Sequence, residues 1–318
     1  MRIAILDDWS GSALDYADWA SLGASIAVFS EPFASTEALV AALRPFDVLC
    51  LMRERTPFPA PVIKALPALT LIVTTGARNN AIDLEAARAA GITVCGTRAR
   101  KTTTAELTLL LILALSRNLI GEAARLREGG WQGPPGRDLD GLRLGLIGLG
   151  TVGAQVARLA QILGMRVSAW SRNLTDARCA ECGVTRAPSL AALMAESDVV
   201  SVHLVHSPRT DRLIGSDAFA AMRDGAVFVN TSRAGIVDTP ALLAAMRAGR
   251  PAKAGLDVFD AEPLPQDDPL RAAFAEFGDR LLATPHLGYV TDETWRLFYG
   301  DTIEAVAAWR DGTPIREL

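Results

Sequence analysis

The sequence predicts an α/β protein made of two parallel-sheet βα domains, one inserted in the other, on three observations. Residues 1–98 alternate short strand-like and helix-like runs, a second alternation covers 142–284, and an amphipathic stretch at 291–309 is placed to return to the first domain. Alternation at these lengths means βα units, which assemble into parallel sheets covered by helices. With 318 residues the chain can hold two such domains, and its 50% hydrophobic content with few aromatics suits α/β layers.

Taken in order, strand-like runs fall at 2–6, 25–29, 47–52, 69–74 and 92–95. Helix-like runs lie between them at 12–22, 36–43 and 83–90, the last ended by Gly91. Residues 103–117 read as one long apolar helix leading into the second domain, and 129–140 as a loop. The apolar run 142–147 carries one charge and suits a strand buried on both faces. Gly148, Gly150 and Gly153 follow it at G-x-G-x-x-G spacing, and a helix-like run continues to Leu163, stopped by Gly164 before a strand at 166–170. The first glycine permits a tight turn, the second lets backbone approach a pyrophosphate, and the third lets helix pack close to strand. Thr151, Val152 and Gly153 open that helix, so their N–H groups and the positive end of its dipole are offered to phosphates. Further strands are expected at 198–204, 226–230, 254–257 and 281–284. The tail 291–309 places Trp295, Phe298, Ile303, Val306 and Trp309 on or near one helical face, which should pack on the first domain.

Composition narrows the function. A formal charge of −4 without a basic run argues against a nucleic-acid partner. The longest strongly apolar run, 107–115, is too short to span a bilayer, so no membrane association is expected. The N-terminus enters a strand directly with no visible signal peptide, and the compartment expected is the cytoplasm. Cys50 and Cys95 lie in strand-like core segments. Cys179 and Cys182 form a C-x-x-C with no second pair and no nearby histidine, which reads as a reduced pair rather than a metal site.

The chain has three histidines, His203, His206 and His286. The first two flank a strand end, where a surface or capping role is the simpler reading. His286, between Pro285 and Gly288, lies just past a strand end, where open α/β sheets place ligands. Arg233 and Glu262 also follow predicted strands and should open on the same sheet edge as the glycine turn. Such a trio can serve hydride transfer: arginine holds a carboxylate as a planar fork, histidine moves a hydroxyl proton, and a carboxylate beside it favours the protonated ring.

Four segments together, GLIGLGTVG at 145–153, NTSRAGIVD at 230–238, GLDVFDAEP at 255–263 and TPHLG at 284–288, resemble the D-isomer-specific 2-hydroxyacid dehydrogenase family over nearly the whole chain. The resemblance implies a Rossmann cofactor domain, 99–289, inserted in a flavodoxin-like substrate domain, 1–98 plus 290–318, with a cleft between them. It implies that Arg233 binds the carboxylate and carbonyl of a 2-oxo or 2-hydroxy acid, that His286 is the general acid/base, and that Glu262 hydrogen-bonds it and raises its pKa. Asp257 matches a position that contacts the nicotinamide carboxamide, and His203 and Thr231 match cofactor-side positions. Arg53 matches a substrate-side position, and Gly76, Ala77 and Arg78 lie in the loop whose N–H groups bind the carboxylate. A homodimer joined through the cofactor domain is also implied. Arg78 departs from the family's Gly-x-Gly-x-Asp loop and either crowds the pocket or adds a charge for a more acidic substrate. Val205-His206 replaces the usual proline after His203-Leu204, and the linker Gly96-Thr97-Arg98-Ala99 lacks the common Asn-x-Pro.

An NAD-selective site needs an acid about 20 residues past the glycine motif. Here the second strand ends in Ser171-Arg172-Asn173-Leu174-Thr175, with no acid before Asp176. Ser171, Arg172 and Thr175 suit a 2′-phosphate that a carboxylate would repel, so NADP(H) is expected to be favoured over NAD(H). The rival from another class is a dinucleotide-sensing, corepressor-like interaction protein on the same fold, which would need no fast turnover.

Overall fold

The computed structural model describes residues 1–318. They divide into a terminal unit, Met1–Arg100 with Val290–Leu318, and a central unit, Lys101–Tyr289. In the terminal unit, β1 (Arg2–Leu6), β2 (Ser25–Phe29), α1 (Thr36–Leu43), β3 (Val48–Leu51), α2 (Ala60–Lys64), β4 (Leu71–Thr74), α3 (Leu84–Ala89) and β5 (Thr93–Gly96) follow one another. The five strands are all parallel, in the order β2-β1-β3-β4-β5, which is the flavodoxin-like arrangement. Every residue of β3 and β4 is buried, as expected for strands covered on both faces.

The helix expected at 12–22 does not form; two 3-10 turns, Ala13–Asp15 and Trp19–Leu22, take its place. The Asp8 carboxylate accepts from the Ala13 N–H at 2.8 Å, and the Trp19 indole donates to the Ala13 carbonyl at 2.9 Å. Such local side-chain bonds compete with the helical ladder for the same backbone groups.

The central unit runs α4 (Thr102–Ser116), α5 (Leu119–Arg127), β6 (Arg143–Ile147), α6 (Thr151–Ile162), β7 (Arg166–Trp170), α7 (Asp176–Glu181), β8 (Thr185–Arg186), α8 (Leu190–Glu196), β9 (Val199–Val202), α9 (Ser216–Ala220), β10 (Val227–Asn230), α10 (Thr239–Arg247), β11 (Lys253–Leu256), α11 (Pro269–Phe277) and β12 (Leu281–Ala283). Its seven parallel strands are ordered β12-β11-β10-β9-β6-β7-β8. Counted from β6 this is the 3-2-1-4-5-6 Rossmann order with one strand added, and the winding reverses between β6 and β9. Val227, Phe228 and Val229 of β10 pack alternately into two separate apolar clusters, so both faces of the sheet are covered. The long apolar helix stops at Ser116, because Asn118 turns left-handed (φ 53°) and starts α5. Leu111, Ile112 and Leu115 of α4 are buried, while Leu110 and Leu113 stay exposed at 54% and 38%.

The last helix, α12 (Asp292–Arg310), belongs to the terminal unit and packs against β4 and β5. Trp295, Phe298 and Val306 are buried on its inner face, whereas Ile303 and Trp309 are partly exposed. Its buried Asp301 receives the Arg98 guanidinium through both oxygens, at 3.1 and 2.7 Å. No single helix is long and apolar enough to cross a membrane.

Candidate active site

In the central unit, β6 is followed by Gly148, whose φ of +109° only glycine adopts readily. A Cβ there would lie 2.4 Å from the His203 carbonyl oxygen, and one on Gly153 would lie 2.3 Å from the Gly148 oxygen. A Cβ on Gly150 would instead project into open space ahead of α6. No side chain caps α6, so the N–H groups of Thr151, Val152 and Gly153 keep their anion-binding capacity. This cradle fits a pyrophosphate.

The imidazole of His203 packs beside the turn, with Nε2 hydrogen-bonded to Ser201 Oγ at 2.9 Å. Burial pushes its pKa down to about 4, so the ring is neutral and keeps Nδ1 as its one remaining ring nitrogen for a ligand. His206 pairs with Asp211 at 2.8 Å and rests against Gly235. Past β7, Ser171 is half-buried and Arg172 is exposed. Thr175 caps α7 through its side chain, and Asp176 pairs with Arg186 at 3.2 Å.

The segment after β10 is shaped by Asn230, a residue the motif reading passed over. Its side-chain amide donates to the Arg233 carbonyl at 3.0 Å and its Oδ1 accepts from the Ser232 N–H at 3.0 Å. The Ser232 hydroxyl donates to the Leu204 carbonyl at 2.5 Å, and Arg233 Nη1 to the Ser232 carbonyl at 2.8 Å. Thr231 is buried, with its hydroxyl 2.8 Å from that of Thr108.

Glu262 and His286 meet in the same unit. Nδ1 of His286 donates to Glu262 Oε2 at 2.6 Å, both side chains are 20% exposed, and Glu262 Oε1 accepts from the Phe259 N–H at 2.9 Å. That assignment of the ring proton leaves Nε2 to exchange a proton with a ligand. Burial raises the Glu262 pKa, but the His286 hydrogen bond and charge, the Phe259 N–H and the Arg233 charge together hold it below the usual glutamate value. Arg233, Glu262 and His286 therefore share one electrostatic neighbourhood. His286 itself is left-handed (φ 54°), a backbone state that costs a bulky residue about 1–3 kcal/mol and persists only when its surroundings impose it.

Asp257 does the imposing. Its fully buried carboxylate accepts from Thr284 Oγ1 at 2.6 Å, the Leu287 N–H at 2.7 Å and the Gly288 N–H at 2.9 Å. Burial raises its pKa against these bonds. With three donors on it, the carboxylate is a buried anchor for the 284–288 turn.

Because its native pKa is lowered, Glu262 adds stability that is complete above its unfolded value near 4.5 and is lost as pH falls through the lower native one. The unfolding free energy of the wild type relative to Glu262→Gln is expected to shrink between about pH 6 and about pH 3. A difference that stays constant with pH, in urea titrations, would contradict it.

In the terminal unit, Arg53 follows β3 in a left-handed conformation (φ 56°), its N–H donating to Thr75 Oγ1 at 2.9 Å and its Nη1 to the Thr75 carbonyl at 3.2 Å. The Gly76 N–H donates to Thr97 Oγ1 at 2.7 Å, and the residue's φ of +93° and missing Cβ give clearance for the Arg53 guanidinium. Ala77 and Arg78 are both exposed, and Asn79 anchors the loop through bonds to the Arg53 carbonyl and Thr74.

Comparison with known proteins places these features in context. Residues 109–288 match the family model described as D-isomer specific 2-hydroxyacid dehydrogenase, NAD binding domain. The chain is 33% identical to D-3-phosphoglycerate dehydrogenase of Archaeoglobus fulgidus over 99% of its own length and 58% of that protein's. It is 34% identical to hydroxypyruvate reductase of Thermotoga maritima, covering 82% of this chain and 83% of the reductase. The structure of phosphoglycerate oxidoreductase from Vibrio cholerae superposes with a TM-score of 0.91 at 34% identity, covering 98% of this chain and 99% of the other. Against the phosphoglycerate dehydrogenases matched first, the chain spans only 48–58% of their length.

Proposed function

Because this chain belongs to the D-isomer specific 2-hydroxyacid dehydrogenase family, we propose that it interconverts a 2-oxo acid and its 2-hydroxy acid with a nicotinamide dinucleotide. The observation that carries the reading is the Glu262–His286 bond at 2.6 Å, which orients Nε2 of the ring in the neighbourhood of Arg233. A bound nicotinamide would supply or take the hydride at substrate C2. In the reducing direction, Nε2 of protonated His286 gives its proton to the oxygen on C2, and the ring is reprotonated from solvent. Arg233 forks onto the carboxylate and polarises the carbonyl, where negative charge grows as the hydride arrives. Glu262 holds the ring in one orientation. The Gly148–Gly153 turn and the start of α6 would hold the pyrophosphate, with His203, Thr231 and Asp257 toward the rest of the cofactor. Within the terminal unit, Arg53 and the N–H groups of Ala77 and Arg78 are the groups suited to an anion.

Arg172 is exposed beside Ser171, and Asp176, the next acid, already pairs with Arg186. This supports NADP(H) over NAD(H). We expect kcat/KM to be about tenfold or more higher with NADPH than with NADH, the worth of one charge-assisted contact to a 2′-phosphate. Oxidation of both cofactors, followed over glyoxylate, hydroxypyruvate, pyruvate, phenylpyruvate and 2-oxoglutarate, tests both points. A clear NADH preference would reject the cofactor assignment. Tight dinucleotide binding with no turnover of any acid would reject the enzyme reading in favour of a sensing protein. Arg78 supports an acid with a second negative charge, which the 2-oxoglutarate arm reads.

A homodimer through the central unit is part of the same reading. Leu110, Leu113, Leu119, Ile120, Leu126 and Trp131 leave large apolar side chains exposed between 110 and 131, Trp131 at 79%. Six large apolar side chains exposed along one stretch of chain support a covered face there.

A further inference from the structure

We propose that the threonines at the start of α4 are positioning residues, forming a hydroxyl clamp that sets the His286 turn against the Arg233 turn. Its kinetic consequence rests on the hydride-transfer reading; its geometry does not. Thr102, Thr103, Thr104 and Thr108 fall within seven residues of α4, although β-branched threonine is a mediocre helix former. Thr104 and Thr108, four residues apart, share one helix face. What they bond to accounts for their presence.

The direction of each hydrogen bond can be deduced. A threonine hydroxyl has one proton to give. That of Thr108 goes to the Thr104 carbonyl at 2.8 Å, an oxygen that can only accept. The 2.8 Å contact between Thr108 Oγ1 and Thr231 Oγ1 must therefore be donated by Thr231. The hydroxyls of Thr103 and Thr104 each donate to the Gly288 carbonyl at 2.9 Å, while the Gly288 N–H donates to Asp257 Oδ2 at 2.9 Å. Gly288 is thus held by both of its backbone polar groups. A Cβ there would sit 3.1 Å from Asp257 Oδ2 and 3.4 Å from Thr104 Oγ1.

One end of this chain of bonds, Thr231, lies two residues before Arg233, and the other, Gly288, lies two residues after His286. Thr103, Thr108, Thr231 and Gly288 are all buried, so water cannot readily substitute for a lost partner. The clamp also leaves the Thr231 hydroxyl with lone pairs only, so any ligand that meets this hydroxyl must donate to it. Without it, the left-handed turn at His286 would lose its anchor on α4, and an error of about 1 Å in a reacting group costs on the order of a hundredfold in rate.

The test compares Thr108→Val, which keeps the shape and removes the bonds, with Thr108→Ser, which keeps them. For Thr108→Val, kcat on the best 2-oxo acid is expected to fall about tenfold with substrate KM within about twofold. The primary isotope effect from cofactor deuterated at C4 should rise as hydride transfer becomes slower. Thr108→Ser should recover most of the rate. Independently of turnover, amides at 284–289 should exchange with deuterium about tenfold faster in the double variant Thr103→Val with Thr104→Val, which removes both hydroxyls that hold Gly288. Wild-type exchange at 284–289 in the Thr103→Val with Thr104→Val variant, or an equal loss of kcat in Thr108→Ser, would overturn the clamp. Thr104→Val, at a half-buried site, replaces Thr108→Val if that variant does not fold. If the wild type reduces none of the acids, the hydride-transfer reading fails, and the exchange measurement still decides the clamp.

Discussion

His286→Ala is expected to lower kcat by about a thousandfold, the middle of the range for removing a positioned general acid. The ring is fastened through Nδ1 to Glu262 at 2.6 Å, so in the proposed reaction the proton that reaches the substrate oxygen has one source, Nε2. Alanine deletes that source but leaves the glycine turn, the start of α6 and Arg233 in place. Dinucleotide affinity should therefore stay within about twofold of wild type while turnover collapses, a loss confined to the transition state. Glu262→Gln should cost less, because the glutamate orients the ring and does not itself transfer the proton. Steady-state kinetics with a dinucleotide-binding titration on each variant checks both statements. His286→Ala turning over within a fewfold of wild type would remove the imidazole from the mechanism.

The parts of this arrangement that were legible in sequence are those written in short spans. A buried strand followed by three spaced glycines and a helix is a local pattern, and it appears as β6, the turn and α6. Arg233, Glu262 and His286 each lie just past a strand end, and parallel strands place such positions along one edge of a sheet. What the string could not carry is long-range bonding. The order of the strands depends on which apolar faces meet. The hydroxyls that hold Gly288 come from residues 184 and 185 positions away, and Thr108 meets Thr231 across 123. The Gly76 N–H likewise meets its partner Thr97 21 residues on and beyond another strand. The helix lost at 12–22 is a different failure, where Asp8 and Trp19 bind backbone that periodicity alone would put in a helix.

Arg233→Ala is expected to lower kcat/KM by about a thousandfold, and Arg233→Lys to recover only part of it. Two functions are removed together by alanine: the fork on the carboxylate, and the positive charge facing the carbonyl oxygen as it gains negative charge. The first acts in both ground and transition states and appears in KM, whereas the second strengthens only as the reaction proceeds and appears in kcat. Lysine restores a charge but not a planar pair of parallel donors, so it should regain kcat more than KM. The loop that presents the residue should not collapse, because Asn230 grips its backbone through the Ser232 N–H and the Arg233 carbonyl, neither of which the substitution touches. Arg233 also helps hold Glu262 ionised, so alanine should raise the pH at which Glu262 takes up a proton and narrow activity at its acid edge. Wild-type kcat/KM in the alanine variant would exclude this guanidinium from substrate binding. Full recovery of KM by lysine would show that charge alone, without the fork, holds the acid.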